Sequence, residues 1–174
     1  MTMRPTNVLF LCTGNSARSI LAECILGRMG QGRFHGYSAG SFPKGTVNAL
    51  ALRLLAEQGF ATSGLRSKSW DEFSAPDAPA MDFVFTVCDQ AAGEVCPIWP
   101  GQPITAHWGI PDPAAVNGSA PERMLAFRTA FRMLERRIQL FLTIRFKELN
   151  RGTVERRVAE IGHLQGAAIE VPAS

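Results

Sequence analysis

Asn7-Val8-Leu9-Phe10-Leu11, running straight into Cys12-Thr13-Gly14-Asn15-Ser16-Ala17-Arg18-Ser19, is the stretch on which the fold turns. A continuous apolar run of this length suits a strand buried on both faces. From Ser16 to Arg28 the residues Ile20, Leu21, Cys24 and Ile25 fall on one helical face, with Gly30 placed to stop the helix. Between strand and helix, five residues separate Cys12 from Arg18, and Gly14 is among them. That spacing suits a nest of backbone N–H groups around a tetrahedral oxyanion, with a thiolate beneath it and a guanidinium beside it. Thr13, Gly14, Asn15, Ser16, Ala17, Arg18 and Ser19 are the candidate oxyanion-binding residues.

The physical logic concerns the thiol. A free cysteine is mostly protonated at neutral pH, and amide hydrogens, a helix N-terminus and an arginine lower its pKa to roughly 3.5–7.5. Cys12 is expected to have all three. Gly14 allows close backbone approach, Asn15 is placed to hold the loop through its side chain, and Ser19 to donate to the thiolate. Arg18 offers a planar fork with two parallel donors.

Outward from the loop, strand and helix patterns alternate. His35–Ala39 reads as a second strand and Asn48–Gln58 as a helix with Leu50, Leu54 and Leu55 inward and Gly59 at its C-terminal cap. Phe83–Val87 is a third strand ending at Cys88, and Ile104–Trp108 a fourth leading into Gly109-Ile110-Pro111-Asp112-Pro113. A long helix is expected from Glu122 to Leu149, with Phe127, Phe131, Leu134, Ile138 and Phe141 as its core stripe. The basic run Arg132 to Arg137 reads as the solvated face of that helix. The pattern predicts an α/β fold: three layers, a four-stranded parallel sheet of order 2-1-3-4, and helices on both faces. Ligands of such sheets bind outside the carboxyl ends of the strands, and Cys12, Cys88 and Asp112 all fall just after a predicted strand. One domain is expected over residues 1–150, with 151–174 as a tail in which Thr153–Leu164 forms a short helix.

The 174 residues are 46% hydrophobic and 19% charged, with a net charge of +3. This is globular composition with room for a real core, and it leaves out the strong basic footprint of a nucleic-acid binder. No apolar run approaches the roughly 20 residues needed to span a bilayer. A cytoplasmic protein with no membrane partner is the expectation, and its four cysteines then read as reduced thiols rather than a disulfide framework. His35, His107 and His163 lie far apart without zinc-ligand spacing, so no metal is expected. Cys24 is read as core, and Trp70, Trp99 and Trp108 as packing residues.

Cys-Thr-Gly-Asn-Ser-Ala-Arg-Ser-Ile-Leu-Ala-Glu, residues 12–23, resembles the opening of the low-molecular-weight protein tyrosine phosphatase superfamily. Thr86-Val87-Cys88-Asp89, Cys96-Pro97 and the segment from Thr105 to Pro113 resemble its arsenate reductase branch. The resemblance covers roughly residues 7–145 and implies a phosphatase-like fold, Cys12 as nucleophile, Arg18 on the oxyanion and Asp112 as general acid. For a reductase it implies further that Cys88 attacks the arseno-cysteine, that arsenite leaves, and that Cys96 then shifts the disulfide outward. It implies no tightly bound cofactor, but an external thiol reductant, thioredoxin or glutathione with glutaredoxin. Arsenate would be the substrate, with phosphate or sulfate as analogues. Similar reductases sometimes hold potassium near the loop, and Asn15, Glu23, Ser38 and Asp71 are the matching oxygen donors.

The alternative is a phosphatase that hydrolyses phosphotyrosine through a phosphocysteine. Residue 17 is alanine, where many such phosphatases carry a second loop cysteine. Ala114-Ala115 follows the Asp112-Pro113 pair where an aromatic residue often holds the phosphotyrosine ring. Both details, with Cys88 and Cys96, favour reduction of a small oxyanion. Seven residues separate Cys88 from Cys96, one more than in the thioredoxin-coupled pattern, so Asp89–Val95 must loop out or unwind before those thiols can pair. Direct attack by a small thiol therefore stands beside the relay.

Overall fold

A computed structural model of the chain describes residues 4–94, 97 and 99–164. Cys96, together with the end of the expected tail, lies outside the described residues. Strand β1 (Thr6–Leu11) leads to helix α1 (Arg18–Met29), β2 (Phe34–Ala39) to α2 (Ala49–Glu57), and β3 (Phe83–Thr86) to the single turn α3 (Asp89–Ala92). After β4 (Ile104–His107) come α4 (Ala120–Leu142) and α5 (Arg151–Gly162), with 3₁₀ turns at Trp70–Phe73 and Pro113–Ala115. The sheet is parallel with order β2-β1-β3-β4, as the alternating pattern predicts. Its register puts Ala39, Leu11, Thr86 and His107 on one level at the carboxyl edge. Whatever follows these residues is presented at that edge.

The period-two alternation of a strand divides the core into two layers. Val8, Phe10, Phe83 and Phe85 face a large cluster built with Ile20, Leu21 and Ile25 of α1, Leu54 and Leu55 of α2, and Phe127, Leu134, Ile138 and Phe141 of α4. Leu9, Leu11 and Val84 face the opposite layer, where Phe73 of the first 3₁₀ turn, Met81 and Trp99 cover them. The three tryptophans pack as expected: Trp108 stacks on Phe85 with ring centroids 3.9 Å apart, and Trp70 meets Trp99 edge-on at 6.2 Å.

Helix α4 begins at a full capping box, in which Ser119 and Glu122 satisfy each other's exposed groups. It stops at Leu142, seven residues before the expected end. The reason is the phase of Phe146, five positions after Phe141 and therefore off the core stripe. Leaving the helix lets Phe146 stack parallel to Phe141, at 6.4 Å, and meet Phe83 edge-on at 5.4 Å. Asn150 then caps α5 by accepting the Thr153 N–H. Helix α5 is no loose appendage. Val154, Val158 and Ile161 belong to the large cluster, and Trp108 donates its indole N–H to the Val158 carbonyl at 2.8 Å.

One charged residue departs from expectation. Arg137 is only 2% exposed, where the run Arg132–Arg137 reads as a solvated face. Its guanidinium donates to the carbonyls of Trp108 (2.8 Å), Gly109 (3.0 Å) and Leu164 (2.8 Å), tying the ends of β4 and α5 together. Its position three after Leu134 and four before Phe141 is the signal that places it on the inner stripe. Among the described residues, no helix is long and apolar enough to cross a membrane.

Candidate active site

The loop from Cys12 to Ala17 closes the gap between β1 and α1 at the carboxyl edge. Its main chain is fastened from outside. Phe42 N–H donates to Thr13 O (2.9 Å), Lys44 N–H to Gly14 O (3.0 Å), Asn48 N–H to Ser16 O (2.8 Å), and the Ser67 hydroxyl also reaches Gly14 O (3.2 Å). With its carbonyls engaged outward, the loop can turn N–H groups inward. Ala17, the N-cap of α1, has no side chain able to cap the helix, so the positive end of the helix dipole adds to the site. Asn15 sits at φ +42°, in the left-handed region that reverses the chain. It is fully buried, accepts the Lys68 N–H on Oδ1 (2.9 Å) and donates through Nδ2 to Ser19 Oγ (2.8 Å). Gly40 packs against this turn so closely that a Cβ there would lie on Thr13 O and 2.7 Å from Cys12 O.

Arg18 and Asp112 meet over the loop. Arg18 donates to the Ile110 carbonyl at 3.0 Å, and its other terminal nitrogen stands 3.7 Å from Asp112 Oδ2. Asp112 is itself held by the Ala114 N–H on Oδ1 (2.9 Å), at the start of the Pro113–Ala115 turn. The carboxylate is thus fixed by one oxygen with the other directed toward the guanidinium.

The second thiol lies against the first. Val87 N–H bonds Leu11 O (2.8 Å), which brings the end of β3 level with the loop. Cys12 and Cys88 are 7% and 3% exposed and share a hydrogen bond through their sulfurs. Cys88 Sγ also accepts the Thr13 N–H at 3.4 Å, and the Thr13 hydroxyl lies 3.7 Å from it. Two neighbouring thiols cannot ionise independently. The hydrogen bond from Cys12 draws Cys88 down to about 5, against the opposing effect of burial and with help from the N–H groups of Ala91 and Thr13. The same hydrogen bond, then burial, pushes Cys12 above the ordinary thiol range, although Arg18 pulls the other way. The sequence suggests a lone thiolate at Cys12. In the structure a second thiol shares its hydrogen bond, and because Cys88 also gathers the amides of Thr13 and Ala91, the two thiols titrate as a coupled pair with Cys88 drawn down and Cys12 pushed up.

Residues to which the sequence gives no role of their own hold this pair in place. His107 bridges β3, β4 and α3: one ring nitrogen lies 2.7 Å from Thr86 Oγ1 and the other 2.8 Å from Asp89 Oδ1. That clamp sets the chain direction immediately after Cys88. Gly109 leaves room for it, since a Cβ there would come 2.5 Å from His107 Nε2 and 2.6 Å from Asp89 Oδ1. Glu94 accepts the Thr13 hydroxyl at 3.0 Å and so ties the stretch beyond α3 back to the loop. Cys24 is separate from all of this, half-buried on α1 with its thiol pushed up to about 12 by burial.

Potassium does not fit beside the loop. The Lys68 ammonium stands among the donors that would ligate it, 3.3 Å from Ser38 Oγ, 3.8 Å from Glu23 Oε1 and 3.0 Å from the Arg66 carbonyl. Asn15 Oδ1 is already taken by the Lys68 N–H. Asp71 lies in the Trp70–Phe73 turn, whose contacts run through its main-chain N–H and carbonyl to Ser69 and Ser74. Lys68 carries no motif that marks it in the sequence.

A parallel sheet carrying a cysteine–arginine loop at its carboxyl edge, faced by an aspartate, is the arrangement expected of a thiol-based oxyanion site on a doubly wound scaffold. Comparison with known proteins sharpens this. The chain belongs to the low molecular weight phosphotyrosine protein phosphatase family, whose model matches residues 7–155. It is 36% identical over 134 residues to an arsenate reductase of Halalkalibacterium halodurans, covering 77% of this chain and 93% of the relative. An arsenate reductase solved in a phosphate-binding state superposes with a TM-score of 0.60 at 26% identity, over 77% of this chain and 94% of that one. The thioredoxin-dependent arsenate reductase Cg_ArsC1' of Corynebacterium glutamicum gives 0.54 at 26% identity, over 80% of this chain and 65% of that longer one.

Proposed function

We propose that this protein reduces arsenate to arsenite, with two adjacent cysteines supplying the electrons. The contact between Cys12 and Cys88 carries the reading, because ester hydrolysis at the loop would need only the first of them. Arsenate binds the amides of the Gly14–Ser19 stretch and the Arg18 guanidinium, in a water-poor cup where such dipoles act strongly. The Cys12 proton slides along its hydrogen bond to Cys88, and the freed Cys12 sulfur attacks arsenic in line. Asp112 gives a proton to the departing oxygen, which leaves as water. Ser19, whose oxygen accepts from Asn15, keeps its O–H to donate to the Cys12 sulfur as charge shifts.

Arsenic is now bonded to Cys12 sulfur and still pentavalent. Cys88 releases its proton to solvent, favoured as a thiolate by the Thr13 and Ala91 amides, and attacks Cys12 Sγ. The sulfur–arsenic bond breaks with its electron pair remaining on arsenic. Arsenic is reduced by two electrons, the two sulfurs are oxidised to the Cys12–Cys88 disulfide, and arsenite leaves. A dithiol of the thioredoxin type then restores the pair, either directly or through Cys96. Similarity to the thioredoxin-dependent relative supports that donor.

The test is an arsenite-release assay with thioredoxin and its reductase as sole donor, run beside glutathione with glutaredoxin. Sustained turnover with thioredoxin is expected, with none in Cys12→Ser. Mass mapping after one turnover should find Cys12 joined to Cys88. Full steady-state reduction by Cys88→Ser with thioredoxin alone would sink the mechanism.

One observation favours a phosphatase instead. Phe42 is 73% exposed beside the loop, its N–H on Thr13 O, and could pack against an aryl ester. Efficient turnover of a phosphotyrosine peptide, lost in Phe42→Ala, would raise that reading above reduction.

A further inference from the structure

We infer that Lys68 is a built-in cation of the oxyanion loop, a positioning residue that does the work a bound alkali-metal ion would do beside Asn15. Its ammonium is buried, with Lys68 as a whole 8% exposed, and is met by three oxygens from three parts of the chain: Ser38 Oγ at the end of β2, Glu23 Oε1 on α1, and the Arg66 carbonyl. Ser38 in turn donates its hydroxyl to Glu23 Oε1 at 3.2 Å. A buried carboxylate without a partner is costly, so this arrangement needs a positive charge at its centre. The other charged groups facing the ammonium are Arg66 and Glu72, which pair with each other at 2.6 Å on the outer side.

The main chain of Lys68 carries the effect to the loop. Its N–H holds Asn15 Oδ1, and its carbonyl accepts the Gly40 N–H at 3.0 Å. Asn15 is the left-handed residue that reverses the loop, and Gly40 is the residue packed on the carbonyls of Cys12 and Thr13. Anchoring the ammonium therefore fixes the main-chain segment that sets both. A covalently attached cation is always present and has no binding equilibrium with the medium. The loop should accordingly be indifferent to the alkali metal in solution. Truncating Lys68 at Cβ leaves Glu23, Ser38 and the Arg66 carbonyl around a space able to take potassium or methylammonium.

The inference rests on the loop binding oxyanions and not on arsenate chemistry, so the probe is inorganic phosphate, followed by titration calorimetry. The intact protein should bind it equally in potassium and in tetramethylammonium salt, the latter ion being too large for the site. Lys68→Ala should bind about tenfold more weakly in tetramethylammonium, with affinity regained on adding potassium or methylammonium chloride. Lys68→Met, which fills the space without charge, should stay weak in every salt. If Lys68→Ala does not fold in tetramethylammonium, its thermal melt in potassium decides the matter: recovery of folding supports the inference and no recovery overturns it. Tighter phosphate binding by the intact protein in potassium also overturns it, as does a Lys68→Ala protein as tight as the original. An arsenate assay without arsenite, alongside the expected salt behaviour, would refute the reductase and leave Lys68 as described.

Discussion

Replacing Cys88 by alanine removes the acceptor of the Cys12 thiol proton while leaving Arg18 and the loop amides in place. A hydrogen bond to a charged partner contributes about 1.5–3 kcal/mol, and one pKa unit corresponds to about 1.36 kcal/mol. Cys12 should therefore titrate at least about 1–2 units lower in the variant, the ratio of those energies. In the intact protein a thiolate should appear near pH 5 and belong to Cys88. In Cys88→Ala that low transition should vanish and a single later one should belong to Cys12. Thiolate absorbance measured across pH gives the transitions. Alkylation mapped by mass spectrometry assigns them, with Cys24, raised to about 12, as the unreactive reference. Stability should change with pH in the same variant. Because Cys88 titrates at about 5 in the fold against 9.0 ordinarily, the folded chain binds fewer protons between those values. Stability from this group is then complete above about pH 9 and is lost as pH falls toward 5. Cys12, shifted upward, adds a loss only above its ordinary value. The variant should flatten the rise between pH 5 and 9. Survival of the low transition in Cys88→Ala would refute the assignment, because the acidic thiol would then be Cys12.

Asp112→Asn should lower aryl-phosphate hydrolysis by about 10²–10⁴-fold, the usual contribution of a general acid, with the deficit shrinking for leaving groups that need no proton; an equal loss for every leaving group would remove Asp112 from the acid role. Gly40→Ala forces a methyl onto Thr13 O and toward Cys12 O, so it should cost about 1–3 kcal/mol in urea unfolding and weaken phosphate binding, and an unchanged affinity would show the loop indifferent to that contact. Arg137→Met should destabilise by about 2–5 kcal/mol, since the carbonyls of Trp108, Gly109 and Leu164 lose a buried charged donor; a cost under about 0.5 kcal/mol, as for an ordinary surface change, would mean those carbonyls do not depend on it.

Local pattern alone reveals the strands, the loop and the position of Asp112 after β4. Each is carried by neighbours in sequence: an unbroken apolar run for β1, a glycine and a cysteine five residues from an arginine, a turn pair after a β-prone stretch. The end of α4 was less legible, because it depends on Phe146 finding Phe141 and Phe83, two partners it can reach only after the helix stops. Arg137 was readable in part: its phase on the helix was visible, but the three carbonyls that accept from it arrive from β4 and α5.

The sequence by itself pointed to the candidate reacting atoms: one sulfur in a loop of amides, an arginine beside it, and an acid after the fourth strand. Only the tertiary structure decided that a second sulfur lies against the first and which cation stands beside the loop. Both are matters of a few ångströms between residues 76 positions apart for Cys12 and Cys88, and 53 for Asn15 and Lys68. Hydrogen bonds and charge pairs fall off steeply with distance, so protonation is settled by packing across the sheet edge and not by any spacing along the chain.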